Sequence, residues 1–423
     1  MQKIRFIHTA DLHLDTPFKG LSSLNSELAN RLKRASLKSY DRIIQLCIEN
    51  QVDFLIIAGD IFDSDQHSLT AQLTFVEGLK KLASLKIQTY FVCGNHDPFN
   101  SWLPTLTMPD EVFRFSPDEV EKFPFKKEGQ ILADLYGISF PRKEIKKNLA
   151  SLFKRKQPQA SVSIGILHGT TGNPGKHENY APFSKNDIEG KGFDYWALGH
   201  LHKHQVIKEN QPTIVYPGNP QGRDFGETGE RGCYLVEIAA GSKPVLQFLT
   251  TQQIRFEEIE VDLTGLETLN PLIEKILQTI RLIPGYDENV DLILRVSLKG
   301  KTTLNNELNK MGAADDLAGF LNENLRNYTS QFVWVDKIRI ETLPEISLDE
   351  LKKSGDFPAE ILKIMDIYQE EPEKINTILE QFYDELPEIS RYSGPFKLTS
   401  ADQKAILEKA KWMLLDSFIE RSQ

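Results

Sequence analysis

Between Lys3 and about Thr250, short apolar runs rich in β-branched and aromatic residues alternate with longer stretches of helical period. Residues 4–7, 54–58, 90–92, 162–167, 196–198 and 214–216 read as strands. Between the first three, Leu28, Leu32, Ala35, Ile43 and Cys47 line one amphipathic helix, and Leu69, Leu73, Val76 and Leu82 line another. From Leu135 onward the helical pattern thins and strands dominate. An α/β sandwich of two sheets with helices outside therefore fits better than a single doubly wound sheet.

From Gln253 the rhythm changes to strand, helix, strand, helix, strand, at 254–261, 266–280, 290–296, 317–325 and 332–340. This predicts a first domain over 1–252 and a small α+β domain over 253–343. The remainder, 344–423, is helical in pattern. Ser347 with Glu350 and Ser400 with Gln403 are spaced as capping boxes, and Pro358 and Pro372 stand like first-turn prolines. Near the end, Ile406, Ala410, Met413, Leu414 and Phe418 form an apolar stripe at helical spacing. It reads either as packing on neighbouring helices or as a docking helix for another protein.

Composition narrows the classes. At 423 residues, with 40% hydrophobic and 26% charged, the chain is expected to be a cytoplasmic globular protein of two or three domains. No run approaches the roughly 18 apolar residues of a membrane span, and Met1 to Arg5 lead into a strand without the layout of a signal peptide. Cys47, Cys93 and Cys233 lie far apart, which suggests neither a disulfide framework nor a cysteine zinc site. Any metal must then sit on oxygen and imidazole. Of the net charge of −10, most belongs to the tail, since residues 345–423 hold 17 acidic and 10 basic side chains. Against this, Arg142, Lys143, Lys146, Lys147, Lys154, Arg155 and Lys156 form a basic stretch, which reads either as a nucleic-acid contact or as a solvated helix face.

The candidate chemistry lies where the apolar runs end. Asp11 and His13 follow the first run, Asp60 and Asp63 the second, Asn95, His96 and Asp97 the third, His168 the run at 162–167, and His200 with His202 the run at 196–198. Such positions, at the open ends of strands, build ligand sites in α/β proteins. Gly59, Gly94 and Gly199 immediately precede three of these groups, where a glycine lets the backbone turn and approach a ligand closely. A mixed set of carboxylate, imidazole and side-chain amide without thiolate suits two divalent first-row ions.

The strings D-L-H at 11–13, G-D-I-F-D at 59–63, G-N-H-D at 94–97, His168 with Gly169, and G-H-L-H at 199–202 resemble, in order and spacing, the five signatures of the calcineurin-like metallophosphoesterases. The longer strings H-T-A-D-L-H-L-D-T-P-F-K-G at 8–20 and Y-P-G-N-P-Q-G-R-D at 216–224 narrow the resemblance to SbcD-type DNA repair exonucleases, and among them to bacterial YhaO-like proteins. The resemblance implies a four-layer α/β/β/α sandwich followed by a small α+β cap domain and a helical tail. It implies that Asp11, His13, Asp60 and His202 hold one metal and Asp60, Asn95, His168 and His200 a second, with Asp60 as the bridge. The ions are expected to be manganese, although the ligand set by itself also admits iron or zinc. His96 would steady the phosphate or protonate the leaving oxygen, with Asp63 as its orienting partner, while Asp97 reads either as a support behind the ligands or as a cap. Arg223, Phe18 and Lys19 are candidates for touching substrate, Arg223 either through a backbone phosphate or tied up with Asp224 in a turn.

The expected activity is hydrolysis of DNA phosphodiesters, as an exonuclease in DNA repair using a two-metal-activated hydroxide. The partners implied are DNA and an SbcC-type coiled-coil ATPase, with a homodimer left open and no membrane. Two rivals stand beside it: a phosphatase or small-nucleotide phosphodiesterase with the same centre, and a scaffold subunit of an ATPase–DNA complex with weak nuclease activity.

Overall fold

The computed structural model describes residues 2–16, 26–63, 68–101, 107–155, 158–172, 180–283, 286, 290–325, 331–346, 348–353, 355, 357–370 and 400–419. The chain divides into two compact units. One comprises 1–258 with 287–294 and 329–334, and the other the remaining residues.

The first unit is a pair of six-stranded sheets. One is built from β1 (Ile4–Thr9), β2 (Phe54–Ala58), β3 (Gln88–Val92), β4 (Val112–Arg114), β11 (Gly232–Ile238) and β12 (Val245–Thr250), in the order β12-β11-β1-β2-β3-β4. β1 to β4 run parallel, β11 pairs antiparallel with β1, and β12 pairs antiparallel with β11 and so runs in the direction of β1. The second sheet contains β5 (Glu121–Lys127), β6 (Gln130–Ile138), β7 (Val162–His168), β8 (Tyr195–Gly199), β9 (Gln205–Lys208) and β10 (Thr213–Tyr216), in the order β5-β6-β7-β8-β10-β9. Its four central strands are parallel.

Parallel strands covered on both faces need apolar residues at every position rather than at alternate ones, which is why these runs were continuous in the sequence. Alternate residues go to opposite sides. Phe6, Phe54, Ile56, Tyr90 and Val92 meet Leu135, Ile164, Ile166, Tyr195, Ala197 and Val215 between the sheets. On the far side of the first sheet, Ile7, Leu55, Ile57 and Phe91 meet Ile43 and Cys47 of α1 (Ser26–Glu49) and Phe75, Leu79 and Leu82 of α2 (Leu69–Ser84).

Two helix faces depart from the sequence pattern. Leu28, Leu32 and Ala35 of α1 leave the first sheet and pack with Ile254, Phe256, Ile293 and Phe332. In α2 the buried line is Ala71, Phe75 and Leu79, four residues apart, whereas Leu69 and Leu73, expected inside, are exposed. The large Phe75 ring sets which face turns inward. Among the described residues, the outer layer of the second sheet holds one short helix, α3 (Asn186–Glu189), and a 3-10 turn at Ala150–Leu152. Apolar loop residues, Ile145, Leu149, Phe153, Phe183 and Phe193, cover Trp196, Leu198 and Tyr216 there. The second sheet thus has a helical fourth layer only in fragments.

The strands that the pattern did not reveal, β4, β5, β6, β9, β11 and β12, are mostly edge or antiparallel strands. β12, for instance, is nowhere fully buried, so its apolar signal is diluted by polar residues.

A third sheet orders β13 (Ile254–Asp262), β14 (Asp291–Thr302) and β15 (Val333–Pro344) side by side. With α4 (Leu269–Arg281), α5 (Asn305–Leu308) and α6 (Ala313–Asn324) it gives the expected alternation of strand and helix. The helices that follow are α7 (Leu348–Lys353), α8 (Phe357–Glu370) and α9 (Ser400–Ile419). Leu362 of α8 packs with Trp412 and Leu415 of α9. The buried face of α9 is therefore centred on Trp412, while Ile406 and Leu414 of the expected stripe are exposed. Ser347 and Pro372 lie outside the described residues. Among the described residues no helix is long and apolar enough to cross a membrane.

Trp196 is the largest fully buried side chain. It lies against Phe153 and Phe193, with ring centroids 5.0 and 4.7 Å away, and Gly165 leaves space for it, since a Cβ there would stand 2.5 Å from the indole. Trp196→Ala is expected to cost about 3–5 kcal/mol, seen as a lowered urea midpoint of the first unit with its far-UV spectrum retained.

Candidate metal centre

The parallel strands of both sheets end at a common edge, and the loops leaving them carry the candidate ligands. These loops continue the strand pairing for a few residues. Asp11 N donates to Gly59 O at 3.0 Å, His13 N to Asp60 O at 3.1 Å and Leu14 N to Ile61 O at 2.9 Å, while Gly169 N donates to Gly199 O at 3.1 Å. Zipped together in this way, the loops turn sharply. Asp11, His13, Asp60 and His200 have φ of +52°, +42°, +51° and +106°. A side chain held in the left-handed region costs roughly 1–3 kcal/mol and persists only where the surroundings enforce it. Space is enforced as well: a Cβ on Gly94 would fall 2.1 Å from Asp60 Oδ1, and one on Gly199 1.9 Å from Ala58 O.

The ligand atoms gather in three groups, Asp11 with His13 and His202, Asp60 with His168 and His200, and His13 with Asp63 and His96, each with its atoms within 4.8 Å of one another. Asn95 joins the second group, its Oδ1 lying 3.0 Å from His168 Nε2. Asp60 Oδ2 lies 3.4 Å from the same nitrogen. His13 Nε2 and His202 Nε2 face each other at 3.1 Å. All seven side chains expected to bind metal are thus brought to one edge.

The outer nitrogens of three rings face partners in the protein. His168 Nδ1 donates to Ala58 O at 2.9 Å. His202 Nδ1 lies 2.6 Å from Glu227 Oε1, and His13 Nδ1 is 3.1 Å from Asp63 Oδ1, close but without hydrogen-bond geometry. Fixing one ring nitrogen this way leaves the other lone pair to a cation. Converging Nε2 atoms beside two buried carboxylates are a donor set that divalent cations fit.

Electrostatics agree. Burial raises Asp11 above the ordinary carboxylate range, against the pull of His168 and His202. Burial also acts to raise Asp60, but His168, His96 and His13 outweigh it and hold it well below that range. Burial pulls His168 down, yet Asp60 and Asp11 lift it to about 9. Burial and the Arg223 charge press His13 down to about 3, so it is a neutral imidazole at pH 7. The Asp60 and His168 shifts describe one buried pair in which the carboxylate calls for a positive charge.

Around these groups the structure revises several roles. His96 is oriented by Asp63, but through its main-chain carbonyl, 2.7 Å from His96 Nδ1. The Asp63 carboxylate instead meets His13 and, at 3.2 Å, Arg223 Nη1. Asp97 takes the capping role in the hydrogen bonds it makes to the backbone. It accepts from Gly94 N at 2.8 Å and Ile61 N at 3.1 Å, tying two ligand loops together. Arg223 pairs not with Asp224 but with Glu227, Nη2 to Oε1 at 2.8 Å. Asp224 caps its own turn through Gly226 N. His204 is half-buried and stacks on the Phe248 ring, with centroids 4.2 Å apart. His8 binds Tyr195 OH at 2.9 Å in the core. Phe18, Lys19, His67 and His177 lie outside the described residues.

Glu227 is the residue that sequence reasoning missed. It holds His202, receives Asn219 Nδ2 at 2.7 Å and Arg223 N at 2.9 Å, and is itself held far below the ordinary range, since His202 and Arg223 outweigh burial. It follows a Gly-rich turn with no spacing motif of its own, so nothing in the sequence marked it.

Comparison with known proteins agrees with this site. The chain matches the calcineurin-like phosphoesterase family over residues 4–204 and the middle domain of the metallophosphoesterase YhaO over 256–343. It is 34% identical over 349 residues to the uncharacterized metallophosphoesterase YhaO of Bacillus subtilis (strain 168), covering 82% of this chain and 84% of that one. It is 26% identical over 324 residues to the DNA double-strand break repair protein Mre11 of Sulfurisphaera tokodaii, covering 73% and 77%. The Mre11 of Sulfolobus acidocaldarius is 22% identical over 406 residues, covering 90% and 98%.

Two outcomes follow from the geometry. Below pH about 9, His168 carries a proton that a cation must displace, whereas His13 is already neutral above pH about 3. Metal affinity is therefore expected to rise with pH, up to about tenfold per unit for each proton released, and calorimetry in buffers of differing ionisation heat should count about one proton from His168 near pH 7. Glu227→Ala takes the carboxylate from the outer nitrogen of His202 and leaves Arg223 Nη2 beside it at 3.0 Å, and is expected to weaken one of two metal equivalents by about 10–100-fold while sparing the other in the same titration.

Proposed function

The chain belongs to the calcineurin-like phosphoesterases, and from that premise we propose that it hydrolyses the phosphodiester backbone of DNA, as a manganese-dependent exonuclease in cytoplasmic DNA repair. The observation that carries the reading is the meeting of the groups Asp11–His13–His202 and Asp60–His168–His200 with a third, in which His96 and Asp63 share His13. The His96 ring lies 5.1 Å from that of His13, edge to face, and its backbone N donates to Asp60 Oδ1 at 2.9 Å.

Bound by these residues, two divalent cations would supply Lewis acidity, activating water and neutralising charge on the phosphoryl oxygens. The chain's own groups do the rest. Asp60 stands at the join between the two ligand groups. Asp63 O fixes His96 Nδ1 and leaves Nε2 to protonate the departing oxygen, the step a diester with an alkoxide leaving group needs most. Asp63 and Glu227 hold His13 and His202 in their metal-binding tautomers.

DNA as the substrate is supported by the name shared by the Mre11 relatives and by the two long SbcD-like strings. The resemblance to SbcD-type nucleases adds a coiled-coil ATPase as partner.

The test is a substrate panel on the manganese-loaded chain. Linear duplex is expected to be degraded and closed-circular duplex spared, and a chromogenic phosphodiester should turn over faster than the matching monoester. His96→Ala should lose about 10²–10⁴-fold in rate with both metal equivalents retained. Preference for the monoester with DNA left intact would make the protein a phosphatase instead, and unaltered turnover by His96→Ala would remove the acid.

A further inference from the structure

Arg223, the arginine expected to take a backbone phosphate, is engaged inside the site by Glu227 and Asp63. The positive charge that would receive a polyanion lies elsewhere. The segment 139–149 leaves β6 at its C-terminal end, the same end at which the parallel neighbour β7 finishes with His168.

Two anchors fix this segment against the metal centre. The Phe140 ring packs edge to face on the His168 ring, with centroids 5.5 Å apart. The Phe140 backbone is stitched into the loop of Asn95 and His96, with Phe140 N donating to Cys93 O at 3.0 Å and Phe99 N to Phe140 O at 2.8 Å. Five residues on, Ile145 O accepts from Ala181 N at 2.6 Å, and Tyr180, next to Ala181, lies edge to face on the His200 ring at 5.9 Å. Ile145 and Leu149 are buried in the apolar layer over the second sheet.

Between and just beyond these anchors stand Arg142, Lys143, Lys146 and Lys147, all exposed, with Glu144 as the one acid among them. Among the described residues none of the four pairs with a carboxylate. The segment is a loop rather than the solvated helix face that the sequence equally suggested. In a helix these cations would spread around the axis. Here a pinned loop presents them beside the candidate ligands His168 and His200.

We propose that Arg142, Lys143, Lys146 and Lys147 form a phosphate-binding lip that holds the DNA backbone flanking the bond to be cut. This rests on the DNA reading above and extends it to a surface. The chemistry fits: a duplex carries regularly spaced phosphates, and exposed lysine and arginine exchange water and counterions for them at little cost. It also answers a difficulty of charge, since a chain of net charge −10 needs a local positive surface to draw a polyanion to its site.

The test uses the full metal-loaded chain and a short duplex with phosphorothioate linkages, which keep the backbone charge while resisting cleavage. Binding is measured from about 50 to 200 mM salt for the parent and for the variant Arg142→Gln, Lys143→Gln, Lys146→Gln, Lys147→Gln. The variant is expected to bind on the order of tenfold or more weakly, with a salt slope shallower by about 0.9 for each phosphate contact removed. Hydrolysis of a chromogenic phosphodiester, too small to span the lip, should stay unchanged and shows that the centre is intact. Equal affinity and equal slope for parent and variant would overturn the lip and leave the nuclease reading standing. Failure of the parent itself to bind the duplex would overturn both.

Discussion

Three carboxylates buried at one sheet edge, Asp11, Asp60 and Asp97, are the constraint on which the rest of the structure depends, each at most 1% exposed. A carboxylate taken out of water costs several kcal/mol unless charge or hydrogen bonds replace the solvent. Asp97 is served by two backbone N–H groups, Asp11 by the N–H of His200, and Asp60 by the N–H of His96 and the ring of His168. To aim those donors inward the loops must turn where they do, which accounts for the positive φ of Asp11, Asp60 and His200 and for glycine at 94 and 199. Backbone strain and carboxylate burial are two faces of one requirement, and divalent cations meet what the backbone leaves over. Metal binding and the stability of this edge are then thermodynamically linked.

The sequence disclosed the parts of this edge that repeat a simple rule. Five of the parallel strands, β1, β2, β3, β7 and β8, are short and mostly apolar runs, and each ends at or just before a residue able to bind metal, so these strand ends and ligands were legible together. What the sequence could not disclose is the set of partners that do not follow a strand at a fixed offset. Glu227 comes from a turn after β10 and reaches His202 only because the chain folds back. Asp63 was legible as a site residue, but whether its carbonyl or its carboxylate meets His96 depends on a backbone turn that no residue type encodes. The same limit appears in the fold. Leu69 and Leu73 have helical spacing yet face solvent, because Phe75 decides the inward face. The antiparallel strands at the sheet edges lacked the continuous apolar signal that marked the buried ones.

Arg223, Glu227 and Asp63 behave as one unit. Arg223 bridges the two carboxylates that steady His202 and His13, and its charge presses His13 toward the neutral form. A guanidinium suits this task because its planar fork meets two acids at once, which a lysine ammonium does not reproduce. The unit also sets the two ligand groups apart. The rings of His13 and His202 are backed by acids, whereas His168 is backed by the neutral carbonyl of Ala58. An anionic neighbour strengthens an imidazole as a donor more than a carbonyl does, so the two ligand groups are chemically inequivalent.

Positive charge near the centre is therefore of two kinds, separated by burial. If Arg223 swung out to grasp a phosphate it would abandon Glu227, a 9%-exposed carboxylate, and breaking a buried pair on one side costs about 3–5 kcal/mol, more than one phosphate contact returns. The exposed cations at 142–147 surrender only water and counterions, so exchange there is nearly free and depends on salt. An arginine that tunes ligands and, in the proposed lip, an outer segment that would hold polyanion is the division this energetics favours. It lets the affinity for a long substrate change without disturbing the tautomers on which metal binding rests.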